Sequence, residues 1–292
     1  THRLYYLAPS LPTESLTMLI VVCGMHRSGS TLVAQLVKGL LGAQSKPVTI
    51  SENGLGDTVD EMQARAADPD HIWLVKVHQQ ARRFREGMPD EGALYLYTYR
   101  DMRDALASAW RKNRFQAGDA ERSPDTLQEF IRSQLRSARV FEARKNIWIG
   151  RYEDFVHNLE GLAVELAQAL NIDASPSLIN TLTAAARPEE QRKRVRQLKR
   201  GDKTIRAGSF ITSNHITDGR EGAWKETLTV AEAQRAECLA QSWLKAKGYE
   251  LCFRRDLQDN VRPLKYRVLS EATRSQVKRA SPRRWWPFSA RS

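Results

Sequence analysis

Apolar positions along the chain fall into two alternating patterns. Short, nearly continuous runs lie at 19–22, 71–78, 92–100 and 146–150. Each has strand length and is rich in branched or aromatic residues. Between them, apolar residues return at steps of three and four, which lines them up on one face of a helix. Leu32, Val33, Leu36, Val37, Leu40 and Leu41 form the first such face, and Met102, Ala105, Leu106, Ala109 and Trp110 the second. Leu127, Phe130, Ile131, Leu135 and Ala138 form a third; Leu159, Leu162, Leu166 and Leu170 a fourth. Ala233, Ala236, Leu239, Ala240, Trp243 and Leu244 make a last face before Gly248, which reads as a C-cap. Asp101, Ser123 or Asp125, and Thr229 stand where helix starts need a side-chain acceptor. Residues 44–70 are polar, with Gly54 and Gly56, and read as a loop carrying a short helix near 58–67. Residues 176–200 read as a helix passing into a basic stretch. Repeated strand–helix alternation predicts an α/β fold, a parallel β-sheet with helices on both faces.

The first strand and helix are joined by Gly24-Met25-His26-Arg27-Ser28-Gly29-Ser30-Thr31. Strand, glycine loop and helix start together make an anion site, because loop amides and the positive helix end converge. The spacing is that of a P-loop at Gly24, Gly29 and Thr31, so the sheet is expected to be P-loop-like. Ser30 stands where the P-loop lysine would reach a triphosphate, which argues against ATP or GTP. A cation, Arg27, lies inside the loop instead.

Three further segments carry polar groups at strand exits. Lys76 and His78 are two apart and so project to one side of their strand, fit to stabilise charge and to move a proton. Arg100 ends the third run and Ser108 lies two helical turns later, a guanidinium fork and a hydroxyl suited to a phosphate dianion. Arg103, between them, reads as a surface arginine. Tyr152-Glu153-Asp154 follows the last short run and reads as an anchor for a helix start. Near the end comes Gly219-Arg220-Glu221-Gly222-Ala223-Trp224-Lys225.

Taken in order, these segments resemble the family of sulfotransferases that use 3′-phosphoadenosine-5′-phosphosulfate (PAPS). The glycine loop is similar to the family's 5′-phosphosulfate loop, and residues 99–108 to its 3′-phosphate motif. Lys76-Val77-His78 resembles the segment with the catalytic histidine, and Gly219, Gly222, Trp224 and Lys225 match the family's C-terminal segment. Thr217 and Asp218 stand where that segment carries paired cations, so Arg220 is the candidate substitute. The resemblance implies PAPS as donor, 3′,5′-adenosine bisphosphate (PAP) as product, and no metal. It implies a cofactor site of Arg27, Ser28, Gly29, Ser30, Thr31, Arg100, Ser108, Gly219 and Arg220. Arg27 and Lys76 would offset charge during transfer, and His78 would be the base, with Glu52 and Glu61 as rivals. The acceptor is not legible: small molecules, carbohydrates and lipids all stay open.

Charge changes the picture only locally. The net charge is +12, of which residues 192–206 carry +7 and residues 262–292 carry +8, leaving −3 elsewhere. The body is therefore not a broad basic face, and a nucleic-acid partner is not expected. Residues 1–17 read as an N-terminal arm, 18–255 as the catalytic domain and 256–292 as a basic, flexible tail. The tail's Trp285 and Trp286 would suit an anionic membrane surface or a partner chain. Three cysteines suggest no disulfide framework, and with no signal-like or spanning segment the expected place is cytoplasmic. A P-loop kinase of small molecules and a non-enzymatic nucleic-acid-binding protein remain the alternative readings.

Overall fold

A computed structural model describes residues 18–52, 59–77, 87–111, 122–197 and 219–253. The 1–17 arm, His78, the 198–218 stretch and the tail from 254 onward lie outside the described residues. In chain order the elements are β1 Leu19–Gly24, α1 Ser30–Leu41, β2 Val48–Glu52, α2 Val59–Ala67 and β3 Ile72–Lys76. Then come β4 Ala93–Tyr99, α3 Met102–Arg111, α4 Pro124–Phe141, β5 Ile147–Arg151, α5 Tyr152–Phe155 and α6 Leu159–Ala169. α7 Pro176–Ala186, α8 Pro188–Gln197, α9 Trp224–Thr227 and α10 Val230–Ala246 complete the described elements.

The five strands form one parallel sheet in the order β2-β3-β1-β4-β5. β1, the most apolar run, is the central strand and is buried along its whole length. Parallel strands need crossover connections, and the intervening helices supply them and cover both faces. On one face Ile20, Val22, Leu74, Leu94 and Leu96 pack with α1, α6 and α7 through Val33, Leu36, Leu40, Leu162, Leu166 and Ile179. Each such buried side chain contributes about 1.5–3 kcal/mol by leaving water. On the other face Tyr95 and Tyr97 meet the Phe141 ring of α4, with centroids 6.5 and 6.2 Å away. Cys23 lies on this face, and burial pushes its thiol well up, as expected of an inert core residue.

Helix ends follow the sequence signals. Ser123 caps α4, and Thr229 with Glu232 makes a full capping box on α10. Gly248, with φ 76°, follows α10 in the left-handed conformation. Two expectations need correction. Residues 48–52 are not loop but an edge strand, β2, whose mixed composition hides it; its pairing with β3 is what orders it. Arg103 is not on the surface. It is buried, bonded to Asp101 and Glu237 and stacked at 4.6 Å on Trp224, because three acceptors converge on it: Asp101 just before α3, Glu237 of α10 and the Glu250 carbonyl.

Candidate active site

The site lies at the carboxyl ends of β1, β3 and β4, where loops leave a parallel sheet. The β1–α1 loop is held from below by its own buried serine. Ser28 Oγ donates toward the Met25 carbonyl at 2.7 Å and also lies 3.0 Å from the Thr98 carbonyl and 2.7 Å from Thr98 Oγ1. Its hydroxyl is committed to bracing the loop. The His26 amide donates to Gln134 of α4 at 2.8 Å, and the Met25 amide to Thr98 at 3.0 Å. Gly29, with φ 86°, turns the chain into α1, and a methyl there would come within 2.9 Å of the Tyr152 and Phe155 rings. α1 starts with no side-chain cap and no acidic residue in its first turn. Its first amides, those of Ser30, Thr31 and Leu32, have no partner within the helix itself, so its positive end suits an anion.

Two cations border the loop. Arg27 is held in the left-handed region, φ 67°, a conformation that costs a non-glycine residue about 1 kcal/mol. Its Nε donates to Ser108 Oγ of α3 at 3.0 Å. Lys76 ends β3, is 8% exposed, and donates to Thr31 Oγ1 at 2.8 Å. Lys76, Thr31, Arg27 and Ser108 are thus linked pairwise around the start of α1. Glu52, at the end of β2, stands opposite Lys76 in the strand register. Glu61 is exposed in the first turn of α2.

The second centre surrounds Arg100, which is 1% exposed. Its guanidinium stacks on the Tyr152 ring at 4.4 Å. Nη2 donates to the carbonyls of Gly219 at 3.2 Å and Arg220 at 2.6 Å, with Asp104 at 3.8 Å. Nε is buried and has no hydrogen-bond partner among the described residues. A buried guanidinium N–H left open is costly unless a ligand accepts from it. The Arg220 side chain is exposed and bonded to Glu226 at 2.9 Å, so here Arg220 offers its carbonyl rather than its charge. Asp104 accepts from the amides of Gly222 at 2.8 Å and Trp224 at 2.9 Å. Burial raises its pKa, against the Arg100 charge and these two amides, which lower it. Glu153 accepts from the Asp101 amide at 3.1 Å and the Tyr249 hydroxyl at 3.0 Å, so it anchors the start of α3 as well as α5.

The structure therefore brings together Arg27, Ser28, Gly29, Ser30, Thr31, Lys76 and Ser108, with Arg100, Gly219 and the Arg220 backbone beside them. Sequence reasoning did not single out Asp104 or Gln134, and it read Tyr152 as an anchor of a helix start rather than as the ring under Arg100. Nothing in the local pattern marks Gln134; Asp104 and Tyr152 lie inside the recognised motifs.

The family model described as "Sulfotransferase domain" matches residues 18–248. The chain belongs to the sulfotransferase family. No curated protein sequence matches this sulfotransferase significantly. Among solved structures it is similar to mouse sulfotransferase SULT7A1 complexed with PAP, at 14% identity and TM-score 0.61, over 80% of this chain and 90% of that one. It is also similar to retinol dehydratase in complex with retinol and PAP, at 17% identity and TM-score 0.57, over 82% and 84%. At these identities the likeness is one of fold. Among the described residues of the sulfotransferase, no group of three His, Cys, Asp or Glu is arranged to hold a metal ion, and no helix is long and apolar enough to cross a membrane.

Proposed function

We propose that this sulfotransferase moves the sulfuryl group of PAPS onto an acceptor hydroxyl or amine by in-line displacement. The observation that carries the reading is a pair of adjoining anion seats, the uncapped start of α1 and the open Arg100 Nε, joined by the Arg27–Ser108 hydrogen bond. A donor with a phosphosulfate at one end and a 3′-phosphate at the other needs two seats. A nucleoside triphosphate needs one longer seat and the lysine that Ser30 replaces. Both solved structures named above were obtained with PAP, which is consistent with this donor.

In the proposed roles, the amides of residues 28–31 and the hydroxyl of Thr31 hold the 5′-phosphosulfate. Arg100, Ser108 and the Gly219–Arg220 backbone surround the 3′-phosphate. The acceptor oxygen attacks sulfur while the bond from sulfur to the bridging phosphate oxygen breaks, and PAP departs. Charge grows on that bridging oxygen, and Lys76 and Arg27 stand where cations offset it. Arg27 must leave Ser108 to do so. His78 takes the acceptor proton, with Glu52 and Glu61 as rival bases.

We further infer a reducing, cytoplasmic setting from the free Cys23, Cys238 and Cys252, and contact of the tail with an anionic membrane or partner. The test of the reaction is transfer of labelled sulfate from PAPS to a cell extract without added metal, with mass spectrometry of the product. A mass gain of one sulfuryl group on one compound is expected. Label that appears only as free sulfate, or transfer of phosphate from ATP, contradicts the reading.

A further inference from the structure

The 219–224 segment crosses the start of α3 and is tied there by groups of opposite polarity. Arg100 Nη2 takes two of its carbonyls, those of Gly219 and Arg220. The Asp104 carboxylate takes two of its amides, those of Gly222 and Trp224. Asp104 is 1% exposed and lies 3.8 Å from the same Arg100 nitrogen. The ring of Trp224 rests on Arg103, which Asp101 and Glu237 hold in turn. The aim of Arg100 therefore depends on where the segment sits, and the segment's place depends on Asp104. Asp104 is a poor phosphate ligand, since a carboxylate repels a dianion. Its role has to run through Arg100.

We propose that Asp104 is a positioning residue. Its carboxylate fixes the 219–224 segment so that the open Nε of Arg100 faces the donor's 3′-phosphate. This rests on the donor assignment above. Two effects of removing the charge oppose each other. Loss of a negative group near a phosphate would tighten binding. Loss of the double acceptor would leave a buried amide facing an amide donor, since asparagine keeps one acceptor oxygen and gains an NH2. The first effect is small, because Arg100 and two amides already neutralise the carboxylate, so the second wins.

The experiment is calorimetric titration of the full chain with PAP and with adenosine 5′-monophosphate, which lacks the 3′-phosphate. The wild-type protein is expected to prefer PAP. In Asp104→Asn, PAP affinity should fall about tenfold or more while monophosphate affinity stays within about twofold. General loosening of the fold would weaken both ligands alike. If the variant does not fold, Gly222→Ala asks the same question from the other side of the contact. Its methyl meets nothing within 4 Å but strains a φ of 72°, so a selective loss of about fivefold is expected. An unchanged or increased preference for PAP in the folded variant overturns the proposal. Failure of the wild-type chain to bind PAP overturns the donor assignment itself, and this proposal with it.

Discussion

The two anion seats proposed for the donor are built in different ways. The first is local: β1, its loop and α1 are consecutive, and Ser28, Thr98 and Gln134 only brace a turn whose shape the chain sets within a dozen residues. The second is assembled at a distance. Asp104 meets Gly222 across 118 positions of sequence, and Arg100 meets Arg220 across 120. The first seat relies on backbone amides and one strained arginine. The second relies on buried charges that neutralise each other. A local seat is robust to side-chain loss, whereas a seat made of buried charges ties ligand affinity to fold stability.

The largest effect should follow Arg100→Ala. It removes one partner of a buried ion pair and leaves Asp104 uncompensated, which typically costs about 3–5 kcal/mol. Denaturant unfolding should show that loss, and PAP binding should become undetectable by calorimetry. Preserved stability would mean the second seat is not built on that pair. Next comes Arg27→Gly. It should weaken donor binding about tenfold yet leave unfolding free energy unchanged or up to about 1 kcal/mol higher, because glycine accepts the positive φ at no cost. A large stability loss in Arg100→Ala with none in Arg27→Gly is the sharpest expression of the contrast.

His78→Ala should leave PAP binding within about twofold and reduce labelled-sulfate transfer by about 10²–10⁴. Near-normal transfer would move the base to Glu52 or Glu61, and the corresponding glutamine variants would then show the loss. The smallest effect concerns Glu232, which joins the start of α10 to Arg122 and Trp110. Against a desolvation cost, bonds from Arg122, Trp110 and Thr229 bring its carboxyl down to about 2. Because the folded pKa is depressed, the carboxylate stabilises the protein above its unfolded value near 4.5. That contribution is lost as pH falls toward 2. After solvent screening, Glu232→Gln should cost no more than about 1 kcal/mol at pH 7. The gap from wild type should close in thermal scans taken at progressively lower pH.

The same contrast explains what the sequence could reveal. The central sheet was legible because β1 and β4 are continuous apolar runs with glycines or charges at their ends. The amphipathic helices were legible from their spacing. β2 was not, since Val48-Thr49-Ile50-Ser51-Glu52 is short and mixed, and an edge strand is ordered by its neighbour. The residues proposed for the first seat are nearly all adjacent, so one stretch of sequence displays them together. For the second, Arg100, Ser108 and Gly219 were readable from motif resemblance. The buried state of Arg103 and the grip of Asp104 on Gly222 and Trp224 arise from packing between distant segments, which periodicity does not encode.

Tryptophan-fluorescence titration, in magnesium-free buffer for PAP and adenosine 5′-monophosphate and with magnesium added for ATP, tests the central claim most directly, because it asks whether two separated phosphates are gripped without a metal. PAP should bind saturably, adenosine 5′-monophosphate more weakly, and ATP with magnesium no better than the monophosphate. Tight binding of ATP with magnesium together with indifference to PAP would contradict the two-seat account.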